Sequence, residues 1–241
     1  LPSHTLYLQN VKELQRFGRN EDRIDIGACV SLQGILRYGP KILTPFVASA
    51  LSKICPPSVM SLATLGGNLS VADRCMAAFP LLHVLDARCE VRSYRKTRWI
   101  PVTGLRNTDG TFNLSPKEII TRIQIPLEEW DISIYRRLGE IPFGIHSDSL
   151  VLVVVAKLHR QMLSEFRFAF GKFTPLLYRN RDIETLLIGS RIPLETKDLE
   201  AFLKVLDTDL RTHPIRLSPT QIAYIFRILS IIFGELSPDT E

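Results

Sequence analysis

The chain has 241 residues, 45% hydrophobic and 23% charged, which suits one large or two modest globular domains and excludes a disordered or fibrous chain. Thirty lysines and arginines against 25 acidic residues leave a formal net charge of +5, favouring anionic ligands without selecting among them. The basic residues are dispersed, with small clusters at residues 92–98 and 179–181 that read as solvated faces, so no nucleic-acid partner is expected.

In chain order, residues 5–8 are short and apolar, and residues 10–14 begin a turn or short helix. Residues 23–28 alternate as a half-buried strand does, with Ile24 and Ile26 on one face and a bend at Gly27. Ser31 is an N-cap for a helix through Leu36, and Thr44 with Pro45 starts another over residues 45–54, ended by Pro56 and Pro57. Residues 76–85 are apolar around most of a helix, and residues 89–93 and 98–102 read as two strands joined by a charged turn. Residues 115–118 resemble a capping box, and Thr121, Ile123 and Ile125 share one face of a strand that Pro126 stops.

A domain boundary falls near residues 128–133, giving domains at 1–130 and 134–241. Beyond it, residues 134–138, 150–158 and 165–170 predict a three-stranded antiparallel sheet. Helices are expected over residues 181–188, closed by Gly189, and 195–206. The last helix, over residues 220–236, has a wide apolar stripe including Ile225, Leu229 and Phe233, widened by Ile228 and Ile231; it is clasped by neighbours or docks on a partner subunit. The fold class is α+β: a mixed α/β domain, then the three-stranded antiparallel sheet with a helical bundle.

Cys29, Cys55, Cys75 and Cys89 stand far apart without a CxxC pair, which reads as free, mostly buried thiols in a reducing cytoplasm. The longest apolar run, residues 150–156, is too short to span a bilayer, so no membrane association is expected. His4, His83, His146, His159 and His213 are scattered, and no metal pair or catalytic triad is predicted. The polar run at residues 146–149 reads either as the lining of an interdomain cleft or as a plain turn.

The segment SLATLGGNLS, residues 61–70, places Gly66, Gly67 and Asn68 after an apolar run. Such a loop presents backbone N–H groups to a phosphate without a Cβ in the way, and Thr64 adds a hydroxyl. A plain structural turn explains the same residues, and neither GxGxxG nor the Walker motif is present. In its longer context the segment resembles the FAD-binding subunits of molybdenum hydroxylases, the family of the flavoprotein chains of carbon monoxide and xanthine dehydrogenases. Residues 63–68 look like its ATIGGN segment, residues 24–28 like an early strand, residues 114–126 like LxPGExLTxIxIP, residues 135–139 like F-x-K-x-G, and residues 169–175 like a C-terminal turn. By that resemblance Thr64, Leu65, Gly66, Gly67 and Asn68 contact the FAD diphosphate, Ile120 packs near the flavin, and Arg136 takes the place of a lysine near the cofactor. The resemblance also implies iron–sulfur and molybdopterin subunits as partners, with oligomerisation possible.

The pattern departs in places. The second diphosphate loop of the family, AGGTD, is absent from these 241 residues, and the opening at Leu1 rather than Met fits a trimmed form of a longer product, with the first domain truncated at its start. Ser58, Met60 and Ser61 replace expected polar residues, and ASPAGD becomes residues 72–77, leaving Ala77 for an aspartate that supports the ribose, with Asp73 a substitute carboxylate or Arg74 a phosphate partner. Each lost hydrogen bond in a buried site forfeits about 1–3 kcal/mol. Three readings follow: a flavoprotein subunit relaying electrons from iron–sulfur clusters to an external acceptor; a degenerate paralogue that has lost FAD and serves as a structural or interaction subunit; or a cleft for another anionic ligand.

Overall fold

The alternation at residues 23–28 builds an inner strand of a five-stranded sheet in the computed structural model, which describes residues 5–139 and 149–234. β1 (Phe17–Asn20) pairs antiparallel with β2 (Arg23–Gly27). Gly27 ends the strand instead of bending it: a Cβ there would strike the Leu14 carbonyl. Ser31 Oγ accepts the Gly34 N–H and caps α1 (Leu32–Tyr38), and Thr44 caps α2 (Pro45–Ser52). α2 therefore stops before the two prolines, and Pro57 opens α3 (Pro57–Met60) at the position where its missing N–H costs nothing.

Residues 65–69, expected as a loop, form the short helix α4 (Leu65–Leu69), followed by α5 (Ala78–Val84). β3 (Arg88–Arg92) and β4 (Thr97–Pro101) make the expected hairpin, and β5 (Ile119–Pro126) completes the sheet in the order β1-β2-β5-β3-β4, antiparallel throughout. Ile26, Ile123 and Cys89 lie opposite one another and form a core row, with Ile24 and Ile125 beside it. Leu32, Ile35, Leu51, Leu65, Leu69 and Leu81 of the helices are fully buried. The register of β5 against β3 shifts between Glu90 and Val91, leaving Thr121 as the extra residue of a bulge. Its hydroxyl bonds the Glu90 carboxylate at 2.7 Å, so Thr121 turns away from the row of Ile123 and Ile125 that it was expected to share.

The chain divides into two units, Leu1–Glu129 and Trp130–Glu241. In the second, β6 (Ile132–Leu138), β7 (Leu150–His159), β8 (Met162–Gly171) and β9 (Leu177–Tyr178) form an antiparallel sheet in chain order, one short strand more than expected. Arg160 and Gln161 turn the β7–β8 hairpin, both at positive φ, as a two-residue turn of the primed type requires. α6 (Arg181–Thr185) is shorter than predicted, and Gly189 at φ +85° follows it. α7 (Thr196–Thr212) runs six residues beyond Leu206. α8 (Pro219–Phe233) begins with a reciprocal capping box of Ser218 and Gln221. Its inner face, Ile225, Leu229 and Phe233, joins Phe166, Phe168, Phe170 and Tyr178 in one core, while Ile231 stands 53% exposed. Leu236 lies outside the described residues.

Candidate functional site

Thr64 decides the local structure at the glycine pair. Its backbone is extended, and Oγ1 accepts the Gly67 N–H at 2.9 Å, capping α4. Neither glycine has positive φ; among the described glycines that conformation belongs to Gly110, Gly139 and Gly189. The two glycines have different reasons to lack a side chain. A Cβ on Gly66 would sit 2.5 Å from Ala28 O and 2.6 Å from Ala28 Cβ, so Gly66 lets the helix approach the end of β2. A Cβ on Gly67 would meet only Thr64 Oγ1, at 3.1 Å, and Gly67 is exposed.

Gly67 opens onto a cleft of about 510 Å³ in the first unit, within the size range of small-molecule sites. Thr64, Gly66, Gly67 and Ser70 line it from the α4 segment, Leu8, Ala28 and Cys29 from the N-terminal part, and Phe112, Leu114, Ser115, Pro116, Glu118, Ile119 and Ile120 from the approach to β5. The lining is mainly apolar, with hydroxyls at three points and one carboxylate. Arg98 donates to both Glu118 oxygens, at 2.9 and 3.0 Å, and the Ser115 N–H adds a third bond at 3.0 Å. These partners, Arg98 foremost, hold the Glu118 carboxyl below its ordinary range, so it is anionic at neutral pH. The predicted capping box at residues 115–118 is half made: Glu118 accepts the Ser115 N–H, but Ser115 Oγ accepts from Lys117 N–H, in a turn that enters β5 with no helix behind it.

Of the seven residues singled out in the sequence, Thr64, Gly66, Gly67 and Ile120 line this one cleft. The Leu65 side chain is fully buried in the core. Asn68 Oδ1 accepts the Ala78 N–H at 3.0 Å, tying α4 to the start of α5. Arg136 is exposed on β6, in the second unit. Asp73 and Arg74 bond each other at 2.6 Å in an exposed turn and do not line the cleft, and Ala77 is buried. His4 and residues 146–148 lie outside the described residues.

Cys29 and Phe112 carry no motif-level signal; Glu118 is the glutamate of the LxPGExLTxIxIP resemblance and of the capping pattern, and neither signal marks it as a lining residue. None of the four cysteines is in a disulfide; Cys75 and Cys89 are buried, which pushes their thiols up to about 11 and about 12, and Cys29 and Cys55 are half-buried. No group of three His, Cys, Asp or Glu among the described residues could hold a metal ion, and no described helix is long and apolar enough to cross a membrane.

A small residue with no side chain, next to a capped helix start and apolar walls, fits a cofactor that combines a flat ring system with a phosphate group. Comparison with known proteins bears on the same residues. Over 207 residues the chain is 25% identical to the xanthine dehydrogenase FAD-binding subunit of Escherichia coli O157:H7, covering 82% of this chain and 68% of that protein. It superposes on a chain of carbon monoxide dehydrogenase from Hydrogenophaga pseudoflava with TM-score 0.77 at 18% identity, covering 92% of this chain and 77% of that one. A chain of quinoline 2-oxidoreductase from Pseudomonas putida 86 gives TM-score 0.76 at 17% identity, over 94% and 79%. The structural likenesses establish the α+β fold. Residues 1–128, which contain the whole cleft, match the family described as the FAD binding domain in molybdopterin dehydrogenase. This chain therefore belongs to the FAD-binding family of the molybdopterin dehydrogenases.

Proposed function

We propose that this chain binds FAD in the first-unit cleft and is the electron-transfer subunit of a molybdenum hydroxylase-type dehydrogenase. In that role it receives electrons from the iron–sulfur clusters of one partner, beside a molybdopterin subunit, and passes them to an external acceptor. The observation that supports this reading is the convergence of Thr64, Gly66, Gly67 and Ile120 on one cleft within the family-matched residues. FAD, when bound, supplies the redox chemistry, and the protein supplies placement and electrostatics. The α4 segment holds the diphosphate through the Thr64 hydroxyl and the first-turn N–H groups of Leu65 and Gly66, Gly67 admits it by lacking a side chain, and Asn68, its own N–H bonded to Thr64 O, shapes the turn. Ile120 and Phe112 give the ring system apolar cover and exclude water. Glu118, fixed by Arg98, sets a negative charge at the cleft that a bound ring must meet with a hydrogen-bond donor.

The protein purified under native conditions is expected to show visible flavin absorbance, and added FAD to raise its unfolding temperature. Gly67→Val should abolish both while the ligand-free unfolding midpoint stays in place, because the new methyls occupy the cleft and not the core. Wild-type protein with no flavin and no thermal shift would sink the reading.

A second reading has its own support: among the described residues no Lys or Arg lines the cleft, Glu118 is anionic there, and Ala77 offers no carboxylate to a ribose. A paralogue that has lost FAD would assemble with its partner subunits unflavinated. Partner capture by a flavin-free preparation, undiminished in Gly67→Val, would favour it.

A further inference from the structure

Arg106 follows the short turn Val102–Leu105 and begins a tight turn closed by its bridge to Phe112. Its guanidinium donates to four backbone carbonyls. Nη1 reaches Ala72 O at 2.8 Å and Gly110 O at 3.0 Å, and Nη2 reaches Val71 O at 2.5 Å and Arg74 O at 2.7 Å. The same group rests against two rings, 5.6 Å from the centroid of Phe79 and 5.5 Å from that of Phe112. Among the described residues it forms no ion pair with a carboxylate.

Three of those carbonyls belong to the segment that leaves α4; the fourth belongs to the turn that delivers Phe112. Ser70, immediately before the first segment, lines the cleft and donates to Gly66 O at 2.7 Å. Phe112, immediately after the turn, lines it as well. One planar group thus joins the glycine-bearing side of the cleft to the aromatic side. Lysine would not substitute: it has three donors on a point charge, and neither the flat fork nor the stacking face.

We propose that Arg106 is a positioning residue for the cofactor, which sets the separation of the α4 segment from Phe112 and thereby how tightly FAD is held. This rests on the reading that FAD occupies the cleft. Arg106 touches no ligand itself; it acts through Ser70 and Phe112.

The test is an FAD titration of the full chain as wild type, Arg106→Lys and Arg106→Ala, with and without millimolar ethylguanidinium. Hydrogen exchange of the ligand-free proteins over residues 70–76 and 107–114 accompanies it. Arg106→Lys is expected to fold and to bind FAD about tenfold more weakly, with faster exchange confined to those two segments. Ethylguanidinium should restore most of the affinity of Arg106→Ala and slow its exchange there. Should that variant fail to fold, Arg106→Lys decides alone.

Affinity of Arg106→Lys within about twofold of wild type overturns the proposal. So does weakened binding with unchanged exchange in both segments, which would mean that Arg106 acts on affinity by a route other than the placing of these two segments. If wild-type protein binds no FAD, the functional reading itself falls. The hydrogen-exchange comparison then still shows whether Arg106 holds the two segments, so the two failures are distinguishable.

Discussion

The first unit is damaged by adding atoms and the second by removing them. In the first unit, Gly27 and Gly66 permit backbone to approach backbone closely, and Gly67 leaves an opening at the cleft; each of these sites does its work by lacking a side chain. In the second unit, Phe166 stacks on Phe168 at 5.2 Å and meets Phe233 edge-on at 5.0 Å, while Phe170 stacks on Tyr178 at 4.6 Å. A binding site needs space that is kept empty by close packing around it, whereas a supporting core needs every volume filled. The two units show both demands met by different residue types within one chain.

The largest expected effect is in the filled core. Phe166→Ala should lower stability by about 3–5 kcal/mol in urea denaturation, because three aromatic neighbours lose their partner and cannot all collapse into the void. A loss near that of an exposed substitution would show that this core is loosely packed. Next is Gly66→Ala, expected to cost about 3 kcal/mol, at the upper end for overpacking, since the obstacle is the Ala28 backbone and not a mobile side chain. Gly67→Ala is its control. Helix propensity there gains up to about 1 kcal/mol, offset by the contact with Thr64 Oγ1, so stability should barely change. Equal losses from the two variants would erase the distinction between the neighbouring glycines.

A smaller effect is expected at Tyr178, whose ring is fully buried while its hydroxyl donates to Asp209 Oδ2 at 2.6 Å; Asn180 Nδ2 bonds the other oxygen at 3.0 Å. Burial above all, then Asp209, pushes the phenol well above its ordinary value, so it remains a donor at every working pH. Tyr178→Phe keeps the stacking on Phe170 and removes one charged hydrogen bond, which should cost about 1.5 kcal/mol. A cost as large as that of Phe166→Ala would mean that the polar cluster, and not ring packing, organises this end of the second unit.

What was legible in the sequence follows the same division. Strands and capped helices were readable because their signals are local: the alternation around Ile24, the run before Pro126, Ser31 and Thr44 as caps. The sequence at residues 65–69 reads as a loop, since two adjacent glycines each cost a helix about 1 kcal/mol. The Thr64 cap and the burial of Leu65 and Leu69 outweigh that cost, and burial is a tertiary fact with no local signature. The bulge at Thr121 escaped for the same reason: period-2 reading assumes an unbroken ladder. Thr64, Gly66 and Gly67 are legible as a glycine-bearing segment able to face a phosphate and through the family resemblance, whereas Ile120 is named by the resemblance alone. Arg106 has no signature in the sequence, since three of its four acceptors are carbonyls 32–35 residues earlier in the chain, and carbonyls are common to every residue type.

The smallest expected effect lies on the polar face of the first sheet, where neither rule of the comparison applies. Glu90 is buried on β3, and its Oε1 accepts from Thr121 at 2.7 Å and from Arg92 at 2.8 Å; Arg122 stands 3.7 Å from Oε2. Burial alone would raise its pKa, but the Thr121 bond, Arg122 and Arg92 together outweigh burial and hold it below the ordinary carboxylate value. A carboxylate lowered in this way adds stability that is fully present above its unfolded value of about 4.3 and disappears as the pH falls through the lower folded value. Glu90→Gln keeps the shape and removes the charge. The variant should therefore be less stable than wild type by about 1 kcal/mol near neutral pH, with the gap closing steadily as the pH is taken below 4.3. Urea midpoints of both proteins across that range measure it directly. A gap that widens in acid would reverse the sign, and would mean that desolvation of Glu90 dominates its three partners.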